Sequence, residues 1–501
     1  MTFAAYIPVL KAGFIWDDDD YVTGNQWLRS LDGLWRIWFQ PGATHQYYPL
    51  THTSFWLEYH VWGLNPLGYH VDNVLLHLLN AALVWVVLRR LSVPFAWLAA
   101  ALFAVHPVEA ESVAWITERK NLLSGAFYLC ALLSYFRCDP PEESRSPPRP
   151  ALYFLALLLY VAALSSKTVA CTFPAAILIL YAWKRRRFPF LPMIPFFILG
   201  AVFGLGTAWM EKHYVGASGK DWSFSILDRI LLAGRALWFY AGKIIWPRDL
   251  MFIYPRWRID SGAAWQYLFP IAAIGVILGS RRARVPILFF VVTLAPALGF
   301  VDVFPFRYSF VADHFQYLAS IGMLALLAGL LSRNRVIACA VLLCFGSLTF
   351  LQASAYRDEP ALWLDTLAKN PDCLIAHYNL ANICSRAGMR QKAIEHYTEA
   401  IRIKPDFFEA WFNRGNAWDN EGRLDNAIAD FRQALAINPR LPEAENNLGD
   451  ALGRQGRLDE AETHLRQAVR LAPDFLLARK NLADILSREG KPLLLPGQSM
   501  R

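Results

Sequence analysis

A series of long apolar runs, separated by short clusters of basic residues, constrains this chain more than any other feature. Runs such as 151–164 and 337–351 contain no charged residue, whereas apolar runs in soluble domains are short and broken by charge. The composition agrees, since 55% of the 501 residues are hydrophobic and the mean hydropathy is +0.26. Runs of nearly this length in series are typical of membrane-spanning helices. The pattern predicts a multi-pass membrane protein and excludes a pair of large soluble domains.

The basic clusters predict the topology of the chain in the membrane. Short cytoplasmic loops collect Lys and Arg, and a net charge of +8 is concentrated in such short segments between the apolar runs, at residues 89–90, 137–149, 184–187, 281–284 and 333–335. A surface that binds nucleic acid would need these charges on one exposed face of a folded domain. The charge distribution therefore excludes a nucleic-acid partner and places the clusters on the cytoplasmic side.

Counting the runs between the basic clusters predicts about eleven transmembrane helices. A first helix ends before Trp16, although residues 1–10 supply only about 15 Å of helix, against a hydrocarbon core of about 30 Å. That helix is either truncated or starts late, and its lack of a basic start argues against a removable signal peptide. The other ten candidates are 71–88, 93–106, 121–136, 151–165, 169–183, 189–209, 264–279, 285–301, 318–331 and 336–352.

The apolar segment 226–246 is not counted as a span. It carries Arg229, Arg235 and Lys243, and a span here would put the cluster at 281–284 on the wrong side. We interpret it as a helix that lies at the membrane interface or lines a cavity. An odd number of spans then places the long first loop, 11–70, on the same outer side as everything after Leu351.

The C-terminal part repeats with a period of 34 residues, which is the tetratricopeptide period of paired antiparallel helices. Three residue types recur at this spacing: Pro371, Pro405, Pro439 and Pro473; Gly388, Gly422, Gly456 and Gly490; and Ala393, Ala427 and Ala461. The predicted fold is all-α, with a membrane domain at 1–352, a half repeat or linker at 353–370, an α-solenoid of repeats at 371–490 and a disordered tail at 491–501.

A ladder of asparagines runs through the repeats, at Asn379, Asn413, Asn447 and Asn481. Stacked repeats would align these amides along the concave groove, where they can donate to and accept from an extended peptide backbone. The ladder resembles the one in the repeat domain of the nucleocytoplasmic O-GlcNAc transferase. Two interpretations are open: the amides bind a peptide, or each one bonds the neighbouring repeat.

The first outer loop opens with four adjacent acids, Asp17 to Asp20, where the first helix leaves the membrane. Mutual repulsion and apolar surroundings raise the proton affinity of such carboxylates, which suits a general base, although an acidic run is also typical of a solvated loop. The same loop contains an unusual density of aromatic residues and histidines, including His70. No paired cysteine spacing and no CxxC or HExxH pattern accompanies them, so neither disulfides nor a metal motif is expected.

Further ionisable groups cluster at the predicted outer membrane boundary. Such groups are costly there and usually face a cavity. The stretch after the second span contains a histidine-proline pair, three glutamates and a basic pair, and later outer segments add single charges. The candidates for function are His106, Glu111, Arg119, Lys120, Lys167, Arg307 and His314.

These loop motifs, the stretch His106-Pro107 through Glu111-Ser112-Val113-Ala114-Trp115, and the repeat tail together resemble the transmembrane and tetratricopeptide-repeat O-mannosyltransferases and their bacterial relatives. This family belongs to the type C glycosyltransferase superfamily. The acidic pair near the start of the family's first outer loop corresponds to Asp17 and Asp18, followed by Asn25. The resemblance implies transfer of a sugar, usually mannose, from a polyprenyl phosphate to a Ser or Thr hydroxyl with inversion.

The implied chemistry gives each candidate a role. Asp17 or Asp18 accepts the hydroxyl proton of the acceptor. Arg119, Lys120, Lys167 and Arg307 are candidates for binding the donor phosphate, although each one can equally anchor a helix end. The remaining candidates orient the base, the sugar or the acceptor: His70, His106, Glu111 and His314. His106-Pro107 can also simply end a helix.

The expected partners are a polyprenyl-phosphate-linked sugar, membrane lipids and a protein acceptor held in the repeat groove. No cofactor is expected, but a divalent metal on Asp17, Asp18 and Glu111 is an open alternative. The expected location is a bacterial inner membrane, with the first loop and the repeats on the periplasmic side. Two other functions are open: a membrane-anchored repeat adaptor without catalysis, and a ligase or transporter for lipid-linked glycans.

Overall fold

The computed structural model describes residues 1–139, 149–185 and 189–491, and every regular element among them is helical. The prediction of an all-α fold with C-terminal repeats is confirmed. The chain divides into two compact units, Met1–Leu362 and Trp363–Arg501. Parts of the basic clusters at 137–149 and 184–187, and the predicted disordered tail from residue 492 onward, lie outside the described residues.

The first unit consists of α-helices joined by short 3-10 and π turns. Its α-helices are Thr2–Ala5, Leu31–Phe39, Pro49–Trp62, Pro66–Arg90, Ala96–Val105, Ala110–Ala114, Arg119–Cys138, Pro150–Ser166, Phe173–Arg185, Phe190–Met210, Ile226–Ile245, Leu268–Gly279, Arg284–Leu294, Ser320–Leu331 and Arg335–Ala355.

Three helices of the described chain are long and apolar enough to cross a membrane: Pro66–Arg90, Phe190–Val215 and Arg335–Ala355. Six shorter apolar helices of 10 to 17 residues coincide with other predicted spans: Ala96–Val105, Pro150–Ser166, Thr168–Lys184, Ala264–Gly279, Arg284–Ala297 and Ser320–Leu331. In place of the first span, the structure has the short helix Thr2–Ala5 and a 3-10 turn, Ile7–Lys11. The chain is a membrane protein, and the number eleven stays a prediction.

The helix Ile226–Ile245 is the segment that the sequence analysis did not count as a span. A capping box between Ser225 and Asp228 begins it, and a buried face that includes Leu231 and Tyr240 packs against the helices Leu268–Gly279 and Ser320–Leu331. Gly234 lies so close to the helix Leu268–Gly279 that an added Cβ would be 2.6 Å from the backbone nitrogen of Pro270. The glycine therefore sets the distance between the helices.

The segment 106–118 follows the second predicted span and was expected at the outer membrane boundary. In the structure it is part of the core of the first unit. It folds into three short turns, Pro107–Glu109, Ala110–Ala114 and Ile116–Glu118, and every residue in it is buried. The following helix, Arg119–Cys138, packs against Pro66–Arg90 and Pro150–Ser166. This arrangement brings the polar side chains of 106–118 to the interior of the first unit.

The second unit contains the predicted helix pairs. Its helices are Leu374–Arg386, Arg390–Ile403, Phe408–Asn420, Leu424–Ile437, Pro442–Arg454, Leu458–Leu471 and Leu476–Arg488, preceded by Glu359–Lys369, which runs across the unit boundary. The repeated alanines are fully buried between paired helices. The repeated glycines have φ between 68° and 82°, the left-handed conformation that ends a helix before a tight turn.

Candidate active site

A cavity of about 160 Å³ lies between the first loop, the buried turns and the segment around residue 310. We call it the acidic cavity. Carboxylates, one lysine and aromatic rings line it together, including Trp16, Asp17, Asp20, Tyr21, His45, Gln46, Glu111, Trp115, Glu118, Lys120, Phe252, Tyr308 and His314. Such a mixture of convergent charges and flat apolar surfaces is typical of sites that bind small polar molecules.

Asp17 is the member of the predicted acidic pair whose side chain lines the acidic cavity. Its side chain is half-buried, lines the acidic cavity and accepts no hydrogen bond from the residues that the structure describes. Burial raises the pKa of Asp17 to about 6, while the charge of Lys120 opposes the increase. A carboxylate with this pKa is ionised at neutral pH and still basic enough to take a proton.

Asp18 is fully buried and turns away from the cavity. It accepts hydrogen bonds from the backbone N–H of Ile15 (2.9 Å), the backbone N–H of Thr117 (2.9 Å) and the hydroxyl of Thr117 (2.6 Å). Burial raises the pKa of Asp18 to about 7 despite these bonds. The contacts attach the first loop to the buried turns, so Asp18 has a structural position.

Two lysines share one buried carboxylate beside Asp17. The Nζ atoms of Lys120 and Lys167 each lie 3.0 Å from a different oxygen of Glu118, and Asn121 donates to the same carboxylate at 2.6 Å. Burial alone would raise the pKa of Glu118, but these cations and His314 hold it below its usual range. No local pattern predicts a role for Glu118, because only the fold brings it to Lys167.

A second cavity, of about 440 Å³, adjoins the first. We call it the apolar cavity. Both lysines lie at its polar end, while most of the remaining lining is small or apolar: Val169, Ala201, Gly204, Leu205, Ala208, Pro296, Ala297, Val301, Val303 and Phe315. Four residues, Gln46, Lys120, Pro305 and His314, line both cavities. We refer to these four as the shared wall.

The other predicted phosphate ligands are placed differently. Arg119 is buried, forms an ion pair with Glu58 and donates to the side chain of Asn73 and the carbonyl of Tyr69. It is not among the residues that line either cavity. Arg307 is likewise outside both linings and has its Nε 3.9 Å from Asp221.

The predicted orienting residues separate into two groups. Glu111 and His314 line the acidic cavity, and a carboxylate oxygen of Glu111 lies 3.0 Å from Nδ1 of His314. His106 instead accepts a hydrogen bond from the N–H of Val108 and has Nε2 2.9 Å from the carbonyl of Ile244, so it sits where the helix Ala96–Val105 ends.

His70 has its own place outside both cavities. Its Nε2 lies 3.4 Å from the carbonyl of Gly13, in the core of the first unit. The ring contacts the segment that leads into the acidic run.

The structure shows where the side chains of the suggested metal site, Asp17, Asp18 and Glu111, lie. No group of three or more metal-ligating side chains occurs in the described parts of the chain. Of the proposed trio, Asp17 and Glu111 line the same cavity, while both carboxylate oxygens of Asp18 accept hydrogen bonds.

The asparagine ladder makes contacts between successive repeats. Asn413 donates to the Tyr378 hydroxyl at 3.1 Å, Asn447 donates to Asn416 at 2.8 Å, and Asn481 donates to Asn446 at 3.0 Å. Asn379 is half-buried in the same register. These amides remain partly exposed, so both interpretations of the ladder stay open.

A comparison with protein families supports the repeat architecture of the second unit. The tetratricopeptide repeat family matches residues 375–407, 408–441 and 442–475. Among solved structures, MamA is 20% identical, with a TM-score of 0.26, covering 26% of this chain and 72% of that one.

Among curated relatives, the protein O-mannosyl-transferase F38B6.6 of Caenorhabditis elegans is 24% identical over 80% of this chain and 61% of its own length. The protein O-mannosyl-transferase Tmtc1 of Drosophila melanogaster is 38% identical over 34% of this chain and 21% of its own, and human TMTC3 is 33% identical over 28% and 16%. The chain thus spans less than two thirds of these relatives. It is a membrane protein with C-terminal tetratricopeptide repeats, and its curated relatives are protein O-mannosyl-transferases.

Proposed function

We propose that this chain transfers a mannosyl group from a polyprenyl phosphate to a Ser or Thr hydroxyl of a protein, with inversion at the anomeric carbon. The observation that carries the proposal is the position of Lys120 in the wall shared by two cavities, one containing the Asp17 carboxylate and the other apolar. The reaction needs this combination, because a base must face the acceptor while the phosphate of a lipid leaves on the other side.

In the proposed step, the acceptor oxygen forms a bond to the anomeric carbon as the bond from that carbon to the phosphate oxygen breaks. The hydroxyl proton passes to the carboxylate of Asp17, and the electron pair of the broken bond leaves with the phosphate. A pKa of about 6 leaves Asp17 ionised at neutral pH. The aromatic rings around it, such as Trp115 and Tyr21, limit access of water to the same face of the sugar.

The leaving phosphate is stabilised by Lys120 and Lys167. Both ammonium groups are buried, and Glu118 balances one of the two charges, so the cluster keeps a net positive charge that suits an incoming anion. Charge-assisted hydrogen bonds from ammonium to phosphate are short and strong in a site of low dielectric. The cations are held in place before the donor binds, which avoids reorganisation during the reaction.

The apolar cavity is suited to the first isoprenoid units of the donor. The helix Phe190–Met210 contributes Ala201, Gly204, Leu205 and Ala208 to its lining. Leu205 is 73% exposed, and the helix is among those that can cross a membrane. A lipid chain can therefore lie along this helix with its phosphate at the lysines.

The repeats supply the binding surface for the protein acceptor. Tetratricopeptide grooves suit extended peptides, and the ladder amides can bond a peptide backbone. The basic clusters support a location of the first loop and of the repeat unit on the side of the membrane opposite the cytoplasm. In our proposal this is the periplasmic side of a bacterial inner membrane.

The test uses the full-length chain purified in detergent, an undecaprenyl or dolichyl phosphate carrying mannose, and a Ser/Thr-rich peptide. Mass spectrometry should detect hexose on the peptide, and the linkage formed should have the anomeric configuration opposite to that of the donor. Peptide binding without transfer would support an adaptor instead. Transfer to a lipid-linked glycan without any to peptide would support a ligase.

A further inference from the structure

One side chain in the shared wall has no role in the chemistry described above. Of the four residues in this wall, Lys120 is assigned to the phosphate, His314 is paired with Glu111, and Pro305 has no side-chain donor. Gln46 is the fourth. In the proposed reaction the sugar lies between the phosphate and Asp17, so a residue that lines both cavities faces the sugar itself.

The amide of Gln46 is held in a fixed orientation. Its Oε1 accepts from the hydroxyl of Tyr21 at 2.7 Å, and its Nε2 donates to the carboxylate of Glu211 at 2.7 Å. Glu211 is buried, and its other oxygen accepts from the backbone N–H of Phe304 at 3.0 Å. Tyr21 in turn stacks on His52 with ring centroids 4.8 Å apart.

The backbone at this position is also restrained. The carbonyl of Gln46 accepts from the hydroxyl of Thr44 at 2.9 Å and from the N–H of Tyr48 at 3.1 Å. Residues of the first loop thus hold the backbone and one side of the Gln46 amide, and Glu211, itself held by the segment at 304, holds the other side. A side chain that is held by several contacts loses little conformational entropy when it binds a ligand.

The amide retains capacity for a ligand. A primary carboxamide offers two N–H donors and two acceptor lone pairs, and the contacts with Tyr21 and Glu211 use one of each. One donor and one acceptor remain, which matches a pair of neighbouring hydroxyls on a pyranose ring.

We propose that Gln46 hydrogen-bonds hydroxyl groups of the donor sugar and determines sugar specificity, with Tyr21 and Glu211 as positioning residues. This assignment rests on the proposed function. It names the sugar-contacting group, whereas the proposed transfer concerns only the base and the phosphate ligands.

The experiment pairs an enzyme variant with altered donors. Wild type and Gln46→Ala are assayed as full-length chains with polyprenyl phosphate mannose and with a panel of monodeoxy analogues. Loss of one net hydrogen bond should cost wild type up to roughly tenfold in kcat/KM for at least one deoxy donor. Gln46→Ala should use that analogue and the parent donor equally well, because the contact is already absent.

Controls separate this contact from damage to the fold. Gln40→Ala makes the same chemical change at an exposed position of the same loop and should keep the wild-type preference. Glu211→Gln should reduce the preference partially, since it loosens the Gln46 amide without removing it. Melting midpoints in detergent identify any variant that is misfolded, and Tyr21→Phe then serves in place of Gln46→Ala, with a partial loss of preference expected because one of the two bonds that orient the amide is removed.

The outcomes distinguish the two proposals. An active wild type whose preference among deoxy donors is unchanged in folded Gln46→Ala and Tyr21→Phe overturns the assignment of Gln46 and leaves the proposed function standing. A wild type that transfers mannose from none of the donors overturns the proposed function and the assignment together.

Discussion

Lys167 and Glu118 are 49 residues apart in the chain, yet Nζ of the lysine lies 3.0 Å from a carboxylate oxygen of the glutamate. The other oxygen of Glu118 is 3.0 Å from Lys120, and all three side chains are buried. A single carboxylate therefore keeps two ammonium groups together in the core. Predictions for activity follow from the charge of this cluster and from its neighbour Asp17.

The pH dependence of kcat/KM should be bell-shaped, with limbs near pH 6 and pH 8. Asp17 must be ionised to accept a proton, and its pKa of about 6 makes activity increase as the pH increases through that value. Burial lowers the pKa of Lys167 to about 8, so the phosphate ligand loses its charge, and activity declines, above that pH. Initial transfer rates at low donor concentration measure both limbs.

The variant Lys167→Arg tests whether Lys167 causes the upper limb of the pH profile. Lys167→Arg keeps a positive charge at all accessible pH values and should remove the decline above pH 8 while the limb near pH 6 remains. An unchanged upper limb in this variant would exclude Lys167 as the titrating group.

Glu118→Gln should weaken donor binding and lower stability. The substitution leaves two buried ammonium groups without their counter-charge, which costs about 3 to 5 kcal/mol when a buried ion pair is broken. Because the charge of Glu118 raises the pKa of Lys167, this lysine is less protonated at neutral pH in the variant, and neither lysine is held at the cavity. The KM for the donor should therefore increase by roughly tenfold or more, and the melting midpoint should decrease.

The matched control is Glu58→Gln, which breaks the buried pair with Arg119 outside both cavities. It should lower the melting midpoint while the KM for the donor stays at the wild-type value. An equal increase in the donor KM of both variants would mean that Arg119 contributes to phosphate binding, contrary to the placement of the lysines described above.

The asparagine ladder should contribute to acceptor binding. In the double variant Asn413→Ala, Asn447→Ala two amides are lost, each worth about 1 kcal/mol, so the KM for a peptide acceptor should rise by roughly tenfold or more. The KM for the donor should not change, nor should either value in Asn420→Ala, an exposed asparagine at a helix end. A lower melting midpoint with an unaltered peptide KM would show that the ladder only joins neighbouring repeats.

Gly422→Ala should destabilise the repeat unit by about 1 kcal/mol. Gly422 has φ of 75°, and an L-residue with a Cβ pays for this left-handed conformation. Gly422→Asn should cost less, because asparagine tolerates the same region. Hydrogen exchange of the flanking helices, Phe408–Asn420 and Leu424–Ile437, measures the difference, and equal losses for the two variants would contradict the explanation.

The repeat unit could be predicted in detail because its constraints are local and periodic. The 34-residue spacing of Gly388, Gly422, Gly456 and Gly490 specifies one turn type, and all four adopt it. The membrane unit was predicted less well, since hydropathy does not distinguish an exposed polar loop from buried turns. The segment 106–118 carries a histidine and three glutamates, yet it lies in the core.

In the candidate active site, too, the sequence did not predict which of two adjacent residues faces a cavity. Asp17 and Asp18 are adjacent and identical in type, and the contacts of Asp18 with Thr117, 99 residues away, and with the backbone of Ile15 distinguish them. Arg119 and Lys120 are also adjacent, but successive residues point in different directions on a helix, so one faces Glu58 and the other the cavities. Gln46 and Glu211 are 165 residues apart, beyond the reach of any local pattern.

The transfer rate of Asp17→Asn, measured with polyprenyl phosphate mannose and a Ser/Thr-rich peptide, tests the central claim most directly. Loss of the base should lower the rate by roughly 100-fold or more while the melting midpoint and the KM for the donor stay unchanged. Asp18→Asn should instead lower the melting midpoint, because it removes an acceptor from a buried network, and should retain most of its activity when folded. A folded Asp17→Asn protein that transfers mannose at the wild-type rate would contradict the account.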